Sequence, residues 1–178
     1  MALPHIILSM LCETEAAGYD ITKKFSGLDG TYWQASHQQV YREMGKMEKQ
    51  GLMSHHLVPQ SGKPDRKVYT ITKEGLIRLK EWIDTDTSLP ILRDEITSKI
   101  TAADISDIPN VISDLDNIID TSGKKLDAIH GFDTKTDLTR CSPFEKAKHK
   151  ICINRTRGHW KEILDWAESS KHQLTQFV

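Results

Sequence analysis

Residues 36–52 read Ser-His-Gln-Gln-Val-Tyr-Arg-Glu-Met-Gly-Lys-Met-Glu-Lys-Gln-Gly-Leu. Ser36 followed by Gln39 is a capping-box signature. The serine hydroxyl accepts from the amide three residues on, and the glutamine side chain returns to the serine amide. Val40, Met44 and Met47 then stand at i, i+4 and i+7, which is one face of a helix. Gly51 supplies the stop, because glycine adopts the left-handed conformation just past a helix end at little cost. A helix over 36–50 is expected, with Leu52 just past its end. His37, Gln38, Tyr41, Arg42 and Lys46 are left on or near its outer face.

Downstream the period changes. Residues 53–59 and 66–72 are short and rich in Val, Tyr, Ile and Thr, and 60–65 are turn residues by composition. That pattern predicts a β-hairpin. Its tip carries Lys63, Arg66 and Lys67, with Asp65 expected to brace Arg66 or the turn. Thr72 caps a following helix, with Leu76, Leu79 and Ile83 expected inward and Trp82 beside them. Upstream, Leu3, Ile6, Ile7, Met10 and Leu11 make one helical face. A second short helix carries Tyr19, Ile21, Phe25 and Leu28 and is expected to end near Gly27 or Gly30. The order helix, helix, helix, hairpin, helix is a winged helix-turn-helix, whose third helix is the candidate for the major groove and whose hairpin is the wing.

The polar run 84–88 marks a boundary, giving domains 1–86 and 89–178. The second domain is expected to be helical. A modest helix covers 91–103, and Ser106-Asp107-Ile108-Pro109 opens the next, with proline tolerated in the first turn. Positions 108, 112, 115, 119, 122, 126 and 129 are Ile, Ile, Leu, Ile, Ser, Leu and Ile, a heptad seam with one polar member. Gly131 is expected to end that helix. Ser142 and Glu145 form a second capping box, with Pro143 in the first turn. Phe144, Ala147, Ile151, Trp160, Ile163, Leu164, Ala167 and Leu174 line the last helix, where Gly158 suggests a bend or a close crossing. The fold class expected is mainly α with a small hairpin: an N-terminal winged helix-turn-helix and an α-helical dimerisation domain of antiparallel, coiled-coil-like helices. The candidate dimer residues are Ile108, Ile112, Leu115, Ile119, Leu126, Ile129, Trp160, Ile163, Leu164 and Ala167.

The formal net charge of −1 conceals strong sorting along the chain. Residues 36–73 hold seven Lys or Arg against three acids, 104–137 hold eight Asp against three Lys, and 140–161 hold seven basic residues against one Glu. A groove-reading helix needs donors and acceptors near its N-terminus: Gln pairs bidentately with adenine and Arg with guanine. Cations on an exposed turn suit phosphates, or the narrow minor groove for Arg66. The candidate DNA-contacting residues are Ser36, His37, Gln38, Gln39, Tyr41, Arg42 and Lys46 on the helix, and Lys63, Arg66, Lys67 and Tyr69 on the wing. The alternative for the helix is an ordinary solvated face; the basic wing at this spacing argues for DNA. A winged helix used only for protein contacts would instead carry an acidic or apolar wing.

The first ninety residues resemble the PadR family of transcriptional regulators. The likeness rests on Gly18-Tyr19-Asp20-Ile21, on Val40-Tyr41-Arg42-Glu43-Met44 through Glu48-Lys49-Gln50-Gly51-Leu52, and on Gly62-Lys63-Pro64-Asp65-Arg66-Lys67-Val68-Tyr69-Thr70-Ile71-Thr72. Most of the family has a Tyr-Pro pair in the recognition helix. Here Val40-Tyr41-Arg42 stands instead, a departure that looks like the AphA-type branch. The resemblance implies a homodimer on partly palindromic duplex DNA and a regulator of virulence or quorum-sensing type, with another transcription regulator or RNA polymerase as a further candidate partner. A repressor sensing a small aromatic compound between its domains is the alternative, since some family members answer to phenolic acids or drugs.

Other chemistry finds little support. There is no Gly-rich phosphate loop and no nucleophile motif, and His55 and His56 are adjacent and so face opposite sides of a strand. Cys12, Cys141 and Cys152 form no zinc-spaced cluster and are expected as reduced thiols, with Cys12 buried on its apolar helix. Trp33, Trp82, Trp160 and Trp166 are expected in core and dimer interface, with a pocket between domains as the alternative. No enzyme activity, cofactor or metal is expected. The N-terminus lacks the basic leader of a secretory signal and no stretch approaches a membrane span, so a cytoplasmic protein without membrane contact is expected.

Overall fold

The computed structural model describes residues 2–25, 33, 35–62, 65–91 and 93–178. The chain divides into two compact units, Met1–Leu89 and Pro90–Val178. Among the described residues no helix is long and apolar enough to cross a membrane.

In the first unit α1 spans Leu3–Glu13 and buries Ile7, Leu8, Met10 and Leu11. β1 is Ala16–Ala17, α2 is Gly18–Lys24, α3 is His37–Lys49, β2 is Met53–Val58, β3 is Arg66–Ile71 and α4 is Lys73–Ile83. α2 ends at Lys24 with Phe25 as its C-cap; Gly27 and Gly30, where its end was expected, lie outside the described residues. Ile7, Leu8, Ile21, Val40, Met44, Met47 and Met53 are each no more than 1% exposed and form the core. Each such side chain contributes about 1.5–3 kcal/mol by leaving water. Trp33 packs against this core, and Trp82 stacks on His5 with ring centroids 4.8 Å apart.

The sheet has three antiparallel strands in the order β1-β3-β2. Met53 pairs with Ile71 and His55 with Tyr69, and this register turns Met53, His55 and Tyr69 to the same face. His55 is half-buried and His56 exposed, as alternation requires. β1 has no sequence signature, because two alanines are too short to show a period. In α4 the inward residues are Gly75 and Leu79. Leu76 and Ile83, expected inward, are 37% and 65% exposed. The helix sits too close for a side chain at its first turn, since a Cβ on Gly75 would lie 2.1 Å from the Leu52 carbonyl oxygen. That contact turns the buried face to Gly75 and Leu79. Cys12, expected buried, is exposed, as is Cys152.

In the second unit α5 spans Glu95–Ala102, starting later than expected because Asp94 caps it. A single 3-10 turn, Ile105–Asp107, leads into α6, Ile108–Lys135, and then α7, Pro143–Thr175. α6 runs through Gly131 to Lys135, and α7 runs unbroken through Gly158, where an added Cβ would meet nothing. Both glycines are solvated interior positions, which cost a helix about 1 kcal/mol each without stopping it. The two helices pair antiparallel, tied at one end by Lys171 to Asp116 (2.5 Å) and at the other by His149 and Arg157 to Asp133 (3.0 and 2.8 Å). On α6, Ile108, Leu115, Ser122 and Ile129 are buried, one residue every seven, while Ile112, Ile119 and Leu126 keep part of their surface. On α7 the matching row is Ile153, Thr156, Trp160, Ile163 and Ala167, alternating steps of three and four. Phe144 and Ile151, placed with the apolar face from sequence, are 77% and 68% exposed.

Candidate nucleic-acid interface

α3 is held by both of its faces. Val40, Met44 and Met47 anchor the inner one. At its start the Gln39 amide donates to Ser36 Oγ (3.2 Å) and the Ser36 amide donates to Gln39 Oε1 (2.8 Å). Ser36 and Gln39 therefore satisfy each other and are structural residues of the cap. His37, Gln38 and Arg42 are exposed and make no hydrogen bond or ion pair with other described residues. No acid lies in the first turn, so the positive end of the helix dipole is left open to an anion. Tyr41 is 47% exposed, and its ring leans over Gly18, whose added Cβ would stand 2.7 Å from Tyr41 Cε1. Lys46 lies further along and pairs with Glu43 at 3.3 Å.

The wing is β2, β3 and their turn, where Gly62 takes φ +70. Asp65, Arg66 and Lys67 are exposed; Lys63, also assigned to the tip, lies outside the described residues. Arg66 pairs with Asp20 on α2, and not with Asp65 as expected from sequence. Asp65 is next in the chain, but the strand's alternation turns the two side chains apart. The pair is exposed on both sides, with 45% of each side chain accessible. Such a pair is weak and exchangeable.

Tyr69 does not belong to this surface. It is 9% exposed, on the sheet face that packs on the core. Burial pushes its hydroxyl pKa up, and the nearby Glu48 carboxylate and Tyr41 add to the shift. Its ring lies 5.6 Å from that of His55, which pairs with Glu48 at the end of α3. These contacts tie α3 to the sheet. Two residues of the surface escaped the sequence reading. Tyr19, counted with the apolar pattern of its helix, is 63% exposed at the start of α2, and Asp20 is the partner of the wing arginine. An aromatic residue beside a helix-opening glycine was the available signal for the first. The second is a contact across 46 residues, with no local trace.

The first unit thus presents a capped, cation-bearing helix and a basic hairpin. The second unit keeps Ile108, Leu115, Ile129 and Ala167 inside its own core, leaving Ile112, Ile119, Leu126 and Leu164 with surface to offer. Trp160 and Ile163 line a cavity.

The profile of the transcriptional regulator PadR-like family matches residues 7–81. A probable transcriptional regulator of Mycobacterium tuberculosis, Rv1176c, is 30% identical over 99% of this chain and 99% of its own. The crystal structure of Bacillus subtilis PadR in complex with operator DNA is similar at a TM-score of 0.78 and 26% identity, covering 98% of this chain and 99% of that one. The Vibrio cholerae virulence activator AphA is similar at a TM-score of 0.76 and 30% identity, covering 99% of each chain. These relatives are named as regulators and not as enzymes, and the likeness extends through both units.

Proposed function

This chain belongs to the transcriptional regulator PadR-like family, and from that premise we propose that it binds operator DNA as a homodimer and regulates transcription there. The observation that carries the reading is the exposed trio His37, Gln38 and Arg42, unpaired among the described residues, at the open N-terminus of α3, in the same unit as the exposed Arg66 and Lys67 of the wing. Gln38 and Arg42 read base edges, and the cations of the wing hold phosphate. Asp20 holds Arg66 until a phosphate displaces it.

Pairing of two copies is the finer part of the reading. One winged unit covers a single half-site, and a two-fold dimer spans two half-sites about 34 Å apart. The partly uncovered row Ile112, Ile119 and Leu126 is the support for an interface on the helical unit. The likeness to AphA favours a regulator of the virulence type.

The test is binding of the full chain to a dyad-symmetric duplex across a salt series. Changing Lys63, Arg66 and Lys67 together to Ala is expected to weaken all sequences alike and to flatten the slope of affinity against salt by about one per lost phosphate contact. Changing Gln38 or Arg42 to Ala is expected to alter which sequence is preferred. An unchanged triple variant overturns the wing assignment, and a uniform loss at Gln38 and Arg42 reduces them to phosphate contacts.

A further inference from the structure

α7 has an apolar face that none of the described residues covers. Its buried residues are Ile153, Thr156 and Ala167. On the opposite side of the helix stand Phe144, Ala147 and Ile151, all exposed. Phe144 and Ile151 are seven residues apart, and each is followed one turn on by a cation, Lys148 and Arg155. An apolar anchor with a charge one turn beyond it, repeated at seven, is the period at which one helix meets another. Gly158 continues the line, seven residues on from Ile151. A Cβ there would meet nothing within 4 Å, so no close contact inside the chain calls for a glycine, and its bare backbone leaves room for a second helix to approach.

The same stretch is basic. Residues 144–158 hold Lys146, Lys148, Lys150, Arg155 and Arg157 against one acid, Glu145. The Glu145 carboxylate is engaged in the helix cap, where it accepts from the Ser142 amide at 2.7 Å. Lys146, Lys150 and Arg155 pair with no acid among the described residues. A two-fold contact of this face with itself would set like charges against each other. The acidic helix of a second copy is a poor complement too, since Asp114, Asp116, Asp120 and Asp133 of α6 already hold Lys99, Lys171, Lys124 and Arg157 of their own chain. Nucleic acid would meet the cations but offers the two apolar anchors no surface. A lipid surface suits a broad apolar face, and this one is a single row.

We infer that the outer face of α7, from Phe144 to Gly158, docks an acidic amphipathic helix of another protein. The face is about 21 Å long, which matches about four turns of a partner helix. The partner's apolar row covers Phe144, Ala147 and Ile151, and carboxylates flanking that row meet Lys148 and Arg155. The anchors supply affinity, and the cations set the partner's charge and register. This inference rests on the helical unit and not on the DNA-binding reading.

The probe is a fluorescein-labelled synthetic peptide three heptads long, with Leu at positions a and d, Glu at e and g and Ala elsewhere. It is titrated with the full chain and followed by anisotropy. Saturable binding is expected, and a peptide of the same composition in scrambled order is expected to bind at least about tenfold more weakly. Phe144→Ser with Ile151→Ser is expected to weaken binding about tenfold or more. Lys148→Glu with Arg155→Glu is expected to lose the Glu peptide and to gain the peptide that carries Lys in place of Glu, a gain that a damaged fold cannot give. The inference is overturned by an absence of saturable binding, by equal binding of the scrambled peptide, or by unchanged affinity in Phe144→Ser with Ile151→Ser. Displacement of the peptide by duplex DNA overturns it by moving the contact to the winged unit. Capture of the chain by phosphatidylserine vesicles, abolished in the same serine variant, assigns the face to a lipid surface instead. A change in that variant's oligomeric state on light scattering assigns it to a second copy.

Discussion

Gly75 sets the tightest steric limit in the winged unit. A methyl group there would sit 2.1 Å from a backbone oxygen and 2.9 Å from Ile71 Cγ1, and the backbone cannot yield as a side-chain tip does. Gly75→Ala is expected to lower stability by about 2 kcal/mol or more, read from the urea midpoint at constant slope. Asp20 limits the unit in another way. It places a carboxylate beside Arg66 on the surface assigned to DNA. Asp20→Asn is expected to raise affinity for any duplex a few-fold at low salt, by removing a charge that repels phosphate and releasing one that attracts it. Fluorescence anisotropy against unrelated duplexes checks this; a fall in affinity would mean that Asp20 positions the arginine. Tyr69 carries a related lesson. From sequence it reads as the aromatic that follows a basic tip, and only the register of β3 against β2 shows that it faces the core.

At the scale of elements, what was legible followed from rules that act over a few residues. Ser36 with Gln39, Thr72, and Ser142 with Glu145 all cap helices where their side chains reach back to the first turn. The apolar spacing of 40, 44 and 47 reappears as a buried row, and of the seam of α6 Ile108, Leu115, Ser122 and Ile129 are buried. What was not legible depends on distant contacts. β1 exists because Ala16 and Ala17 meet Tyr69 and Val68. The α6–α7 hairpin yields a pH prediction of its own. Hydrogen bonds from His149 first, and then Arg157, hold the Asp133 carboxyl below the usual carboxylate range. A carboxyl with a lowered folded pKa contributes stability above its unfolded value, and that contribution is lost as pH falls through the folded one. Asp133→Asn is therefore expected to cost about 0.5–1 kcal/mol near neutral pH, given the partial exposure of the pair, and the difference should shrink below about pH 4. Urea denaturation of both chains at the two pH values checks it.

The whole molecule is two units with a core each. The described residues of 85–94 lie outside the helices and none is a core residue, and Leu89 and Ile91 are 90% and 81% exposed. Limited proteolysis with a protease that cuts after large apolar residues is expected to cleave there first and to leave two resistant fragments. Mass spectrometry of the products checks the position. A fragment of residues 1–88 is expected to keep its helical circular dichroism, run as a monomer and bind duplex weakly; a dimeric fragment would move the pairing surface out of the helical unit. The bare junction also bears on descent. Because each unit has a core of its own, recombination between them exchanges one half without cutting into the core of the other. Such a gene is a cassette: the proposed address on DNA and the proposed pairing device are free to be inherited from different parents.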